Sequence, residues 1–226
     1  MKTSRPLSPI STIRPFSPSA FQKAFTLIEL LVVISIIAIL IGLLFPAFKG
    51  VQNQARKTQA KNDLNQIVVA INAFYTEYGQ YPCGAQSQDD SNDFFAGNDT
   101  TEAKLITDLR GISGMTDANI NPKLIAFLQP PLARALSHAD AKSGICQNGH
   151  WHDPWGSPYL VKIDNNYNNQ IQNPYTNNTG AGFSVLNLGV IAWSLGPDLD
   201  GAKTGAQGNG GSKTTGASAD DVISWQ

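Results

Sequence analysis

The chain has 226 residues, 16 Lys and Arg against 17 Asp and Glu, and a formal net charge of -1; that length allows one ordinary domain with an accessory element and leaves two full domains cramped. The charge is uneven: residues 1–24 carry Lys2, Arg5, Arg14 and Lys23 and no acid, so the remainder holds 12 basic against 17 acidic residues. An acidic body with scattered Lys and Arg gives no electrostatic footprint for nucleic acid, and two cysteines are too few for a disulfide scaffold.

From Phe25 to Phe48 the only charged residue is Glu29. Twenty-four residues at 1.5 Å rise reach about 36 Å, enough to cross a hydrocarbon core of roughly 30 Å. A secretory signal peptide would hold an apolar core of about 7–15 residues and then a small-residue exit. This run is longer, and Leu44-Phe45-Pro46-Ala47-Phe48 offers no such exit. A plain single-pass anchor explains the length but not how the run opens.

It opens with Lys23-Ala24-Phe25-Thr26-Leu27-Ile28-Glu29-Leu30. An ionised carboxylate one turn into a membrane helix is costly unless paired, so Glu29 requires a partner. Cleavage between Ala24 and Phe25 would supply one: the new α-amino group of a neighbouring copy can meet the Glu29 carboxylate within an apolar bundle. The same cut removes all four basic leader residues, which would hold the N-terminus cytoplasmic until then. Ala24-Phe25-Thr26-Leu27-Ile28-Glu29 and the apolar run resemble the prepilin signal of type IV pilins and type II secretion pseudopilins. The resemblance implies cleavage before Phe25 by a membrane aspartyl prepilin peptidase, N-methylation of Phe25, and assembly through Glu29. The family usually has Gly before the cut, where this chain has Ala24.

Beyond the apolar run, Ser35, Gly42 and Pro46 interrupt it lightly, and Pro46 removes one backbone hydrogen bond. Leu64, Ile67, Ile71, Phe74 and Tyr78 then recur at spacings of 3 and 4, one face of an α-helix that Gly79 and Pro82 should end. The spacing predicts a helix over about 27–78, an apolar half over 25–48 and an amphipathic half over 49–82. Residues 83–150 read as a polar excursion with weak helical pattern over 102–110 and 122–137. From 151 to 226 the chain reads as a β region: a strand over 159–163, an Asn-rich loop, an apolar strand over 183–195, and a last strand within 219–225. The whole predicts an α+β fold, a long helix packed on a small antiparallel sheet, which the resemblance implies is a ladle-shaped pilin-like subunit.

Asp153-Pro154-Trp155-Gly156-Ser157-Pro158-Tyr159, Trp193-Ser194-Leu195-Gly196-Pro197-Asp198 and Asp220-Asp221-Val222-Ile223-Ser224-Trp225 resemble the C-terminal half of the major, G-type pseudopilin of type II secretion. The resemblance implies a calcium ion that ties the terminal loop to the sheet. Calcium takes six to eight oxygens, several from carboxylates; Asp198, Asp220 and Asp221 would supply them, with the Leu195 carbonyl and Asp200 completing the shell. The Asp198-Leu199-Asp200-Gly201 start is not an EF-hand, because no Glu stands at the twelfth position. The bland alternative is a turn at Asp198 and Asp200 and a strand cap at Asp220 and Asp221.

Cys83 and Cys146 both follow the apolar segment and would face an oxidising compartment, so a Cys83–Cys146 bridge is expected to staple the excursion. Cys146-x3-His150-x-His152 could also hold a metal, but its spacing fits none of the common zinc patterns. No nucleophilic triad and no Gly-rich phosphate loop is visible, so a structural subunit is expected and not an enzyme. The resemblance implies a periplasmic filament driving protein export, anchored in the inner membrane with its head in the periplasm. Its implied partners are other copies of itself, minor pseudopilins, the prepilin peptidase and an inner-membrane assembly platform. A surface type IV pilin, or a membrane-anchored protein binding a ligand through 83–150, are the alternatives.

Overall fold

The computed structural model describes residues 25–83, 93–97, 100–135, 137–203 and 210–226; the leader, with Ala24, lies outside the described residues. The chain divides into two compact units, Met1–Phe48 and Lys49–Gln226. In chain order the elements are α1 (Leu27–Tyr78), β1 (Phe94–Ala96), α2 (Thr101–Arg110), β2 (Gly144–Ile145), β3 (Trp151–His152), β4 (Leu160–Ile163), β5 (Ile171–Gln172), β6 (Val185–Leu186), β7 (Val190–Ser194) and β8 (Val222–Ile223). This is an α+β fold.

In the first unit, every large apolar side chain described from Phe25 to Phe48 is exposed. Each would contribute about 1.5–3 kcal/mol on burial, so a row of this length does not stand bare in water. The segment is long and apolar enough to cross a membrane.

In the second unit, the amphipathic part of α1 behaves as its spacing predicts. Leu64, Ile67, Ile71 and Phe74 are fully buried, and Ala60 and Ala70 fill the gaps between them. Tyr78 is half-buried and donates its hydroxyl to Asn121 Oδ1 at 2.7 Å. The helix stops at Gly79, whose φ of 69° is left-handed and whose N–H returns to Tyr75 O at 2.8 Å.

The main sheet is antiparallel, in the order β1-β4-β7-β8. Its register pairs Val161 with Ala192 and Leu160 with Trp193. Period-two alternation then sorts the side chains. Ala96, Val161, Ile163, Val190 and Ala192 join the cluster built on α1. Leu160, Ile191, Trp193 and Ile223 form a second cluster on the other face, with Ile171, Tyr175, Ala181 and Ala202. Both faces are covered, which is why β4 and β7 read as continuous apolar runs. The exceptions are Ser194, the last residue of β7, and Lys162, buried on the outer face and paired with Asp93 at 3.2 Å.

Several expectations are corrected. The helical pattern over 122–137 forms no helix: Pro122, Pro130 and Pro131 withhold donors, and Asn121 takes over the backbone, donating to Asp108 O and Ile125 O and accepting from Ile125 N. The strand over 183–195 is two strands, β6 pairing with β5 and β7 with β4. The break falls at Gly189, where any side chain would collide with the Tyr81 hydroxyl. Strand β1, inside the excursion, was not anticipated. Cys83 and Cys146 are not bridged. Cys83 is packed in the α1 cluster and Cys146 in a separate small one with Ala133 and Ala141, so different parts of the core hold them. Burial pushes the Cys83 thiol far above its ordinary range and keeps it protonated.

Candidate functional site

At the start of α1, Thr26 and Glu29 form a reciprocal box. The Thr26 N–H and hydroxyl donate to Glu29 Oε2 at 2.8 and 2.7 Å, and the Glu29 N–H donates to Thr26 Oγ1 at 3.3 Å. A Thr at the N-cap with Glu three residues on satisfies helix donors that have no intrahelical acceptor. The Thr26-x-x-Glu29 spacing in the sequence signals this local partner, beside the amine expected from another copy. These bonds engage Oε2. Phe25, immediately before the box, is 78% exposed.

The second constellation lies where β7 ends and β8 begins. Carboxylate oxygens of Asp198, Asp220 and Asp221 lie within 4.8 Å of one another. Two glycines permit this approach. At Gly196, φ 71°, a Cβ would come 2.7 Å from Asp220 O; at Gly201, φ 113°, it would come 2.7 Å from Asp221 Oδ2. Asp221 is buried, Asp220 half-buried and Asp198 exposed. Asp221 Oδ2 accepts from Tyr175 Oη at 2.8 Å, while Oδ1 is buried with no hydrogen-bond partner. Burial pushes the Asp221 carboxyl up to about 6, with Tyr175 opposing that shift and Asp220 adding to it. A buried carboxylate oxygen without a donor, beside two more carboxylates, is what a hard cation would satisfy, so this donor set fits calcium.

Asp200 does not join the group. Its carboxylate pairs with Lys203 at 2.9 Å and points to solvent. The Leu195 side chain is buried in the outer apolar cluster, one residue past β7. The loop between the acidic residues is held at both ends: Trp193 Nε1 donates to Ala202 O at 2.7 Å, and Lys213 Nζ to Ala219 O at 3.2 Å. Residues 204–209 lie outside the described residues. A third tie comes from α1, where Lys61 Nζ donates to the carbonyls of Ile223 at 2.7 Å, Ser224 at 3.2 Å and Gln226.

The turn that opens the β region supports this end of the sheet. Asp153 is fully buried; its Oδ1 accepts from the N–H groups of Trp155, Gly156 and Ser157 at 2.7–2.9 Å, and its Oδ2 from Ser194 Oγ at 2.5 Å. Ser194 Oγ in turn accepts from Gly196 N–H at 3.2 Å, the first glycine of the acidic loop. Tyr159 reaches the other way, donating to the buried Asp63 of α1 at 2.7 Å. Asp153→Ala would orphan four donors, three of them buried, so it should lower unfolding free energy by about 3 kcal/mol or more. A urea titration checks this, and Asp153→Asn should recover part of the loss.

Against known proteins, residues 20–45 match the family model of the prokaryotic N-terminal methylation motif. The chain is 37% identical over 65 residues to type II secretion system core protein G of Pseudomonas aeruginosa, covering 29% of this chain and 46% of that protein. It is 36% identical over 60 residues to the type IV major pilin protein PilA of Myxococcus xanthus, covering 26% and 27%. It is 26% identical over 103 residues to the type IV major pilin protein PilE of Neisseria gonorrhoeae, covering 46% and 59%. The chain thus carries the prokaryotic N-terminal methylation motif and is similar to type IV major pilins and to a type II secretion core protein. As a pilin-like chain it spans from about a quarter to three fifths of the length of these relatives. No solved structure matches it. The family motif covers the Thr26–Glu29 box and most of the exposed apolar segment.

Proposed function

We propose that this pilin-like chain is a filament-forming pseudopilin of a type II secretion system, processed between Ala24 and Phe25 and methylated on Phe25. The observation that carries the reading is the exposed apolar start of α1, headed by the Glu29 carboxylate. In the membrane that row faces lipid; in the filament it faces the same row of other copies, and the Phe25 amine of one subunit meets Glu29 of the next. The match to core protein G and the Asp153–Tyr159 and Asp198–Asp221 groups support secretion over a surface pilus.

In this reading calcium is the resident ion of the acidic loop. Asp198, Asp220 and Asp221 would hold it, and it supplies charge compensation that locks the loop between β7 and β8. The remaining residues act without it: Asp153 and Ser194 fix the end of β7, and Lys61 fixes the last residues to α1. Processing exposes the Phe25 amine, an assembly platform extracts the subunit from the inner membrane, and the heads line a periplasmic fibre.

Mass spectrometry of the protein recovered from cells tests the first step. The expected mature chain starts at methylated Phe25. Recovery of a stable chain that retains Met1 would overturn the proposal and leave a simple membrane anchor. The matches to two major pilins make a surface pilus the second reading. A deletion strain separates the two: retained exoproteins support secretion, and lost surface fibres with normal export support the pilus.

A further inference from the structure

The chain has three histidines, and the structure gathers all three. His138 and His150 have ring centroids 4.3 Å apart, His138 and His152 4.9 Å, and His150 and His152 6.2 Å. They come from two separate segments. His150 and His152 flank Trp151 on the second arm of the β2–β3 hairpin, whose loop closes with Cys146 N–H donating to His150 O at 2.9 Å. His138 comes from the irregular stretch that lies along β2, where Ala133 N–H donates to Ile145 O at 2.9 Å. One ligand atom each from His138, Cys146 and His152 lies within 4.8 Å of the others.

The chemistry of the donors is also arranged. His152 Nδ1 donates to Gly156 O at 2.9 Å, which leaves the lone pair on Nε2. That nitrogen lies 3.1 Å from His138 Nδ1. Two imidazole ligands on a tetrahedral ion, at bonds of 2.0–2.1 Å, stand about 3.4 Å apart, so a small opening of this pair admits one. An imidazole whose far nitrogen is tied to a backbone carbonyl is the usual supporting arrangement of a metal ligand. His150 is held differently: its Nδ1 meets Glu102 Oε2 at 2.7 Å, and Glu102 Oε1 accepts from Trp151 N–H at 3.1 Å, so it fixes the hairpin to α2.

We propose that His138, Cys146 and His152 form a mononuclear site for a transition-metal ion of the zinc class, which staples the 131–143 stretch to the β2–β3 hairpin. Two imidazoles and one thiolate suit zinc and exclude the hard-oxygen preference of calcium. The thiol loses its proton on binding, and the fourth position is left to water. The site is separate from the acidic loop in both residues and ligand type, and it does not depend on the filament reading.

The test uses the full chain purified in detergent, stripped with a chelator and titrated with cobalt(II), which reports tetrahedral sulfur coordination by its visible and charge-transfer absorption. One equivalent of cobalt should give both bands, and zinc should erase them. Cys146→Ser should lose the charge-transfer band. His138→Ala, at a half-buried position, should weaken binding by roughly tenfold or more. Asp220→Asn should change neither. Absence of the charge-transfer band, or its persistence in Cys146→Ser, would overturn the assignment.

Discussion

Glu29→Gln is expected to preserve the start of α1 and membrane insertion while reducing filament assembly to background, by roughly tenfold or more. The substitution separates the box with Thr26 from the pairing with another subunit proposed for the same side chain. Glutamine at the third helical position still closes a box with Thr26, because either Glu or Gln accepts from the N-cap N–H. What it removes is the negative charge, and with it any attraction for an amine from another subunit. If the box were the only role of Glu29, Glu29→Gln would assemble normally and Glu29→Val would fail. If charge pairing carries assembly, both fail alike. Thr26→Val completes the comparison: it breaks the box but leaves the carboxylate, so it should fray the helix start and retain most assembly. The readouts are crosslinked oligomers from cell envelopes and the membrane fraction of each variant. Normal assembly of Glu29→Gln would end the pairing argument.

The long helix was legible because its signals are local: an uninterrupted apolar run, then a stripe at spacings of 3 and 4, then Gly79 and Pro82. Strands β4 and β7 were legible for a related reason, since burial on both faces makes them apolar at every position but Lys162 and Ser194. The three-residue β1 was not, because Phe94-Phe95-Ala96 becomes a strand only through pairing with residues 161–163, far along the chain. The false helix over 122–137 shows the converse failure, in which a periodic pattern was outweighed by three prolines and one asparagine side chain. Site residues divide the same way. Asp198, Asp220 and Asp221 could be grouped from their likeness to a family. His138 could not be joined to Cys146 and His152, since no local spacing links it to them; a shared strand edge does.

Asp221→Asn should stabilise the protein without calcium and abolish the stabilisation that calcium provides, two effects of opposite sign from one atom pair. Asp221 is buried with one oxygen unpartnered, and its carboxyl is pushed up to about 6. A folded-state value above the unfolded one means the folded state holds the proton more tightly. The associated stability is therefore present below about pH 4 and is lost as pH rises through 6. At pH 7.5 the ionised group costs on the order of 3 kcal/mol, the free-energy equivalent of a shift of that size. Calcium in the proposed site would offset that cost by supplying the missing partner, and at a hundredfold excess over its dissociation constant would add about 2.7 kcal/mol. Protons compete for the same oxygens, so the calcium-induced rise in melting temperature should be large at pH 7.5 and small at pH 5. Asparagine removes the charge and keeps an acceptor for Tyr175, so its apo form should melt higher than the parent at pH 7.5 and by about half that margin at pH 5. Thermal melts of both proteins at the two pH values, with calcium and with a chelator, provide the full comparison. A calcium response that survives in Asp221→Asn, or that is undiminished at pH 5, would move the ion away from this carboxylate. Asp200→Asn, which alters only a solvent-facing pair with Lys203, should leave every one of these melts unchanged.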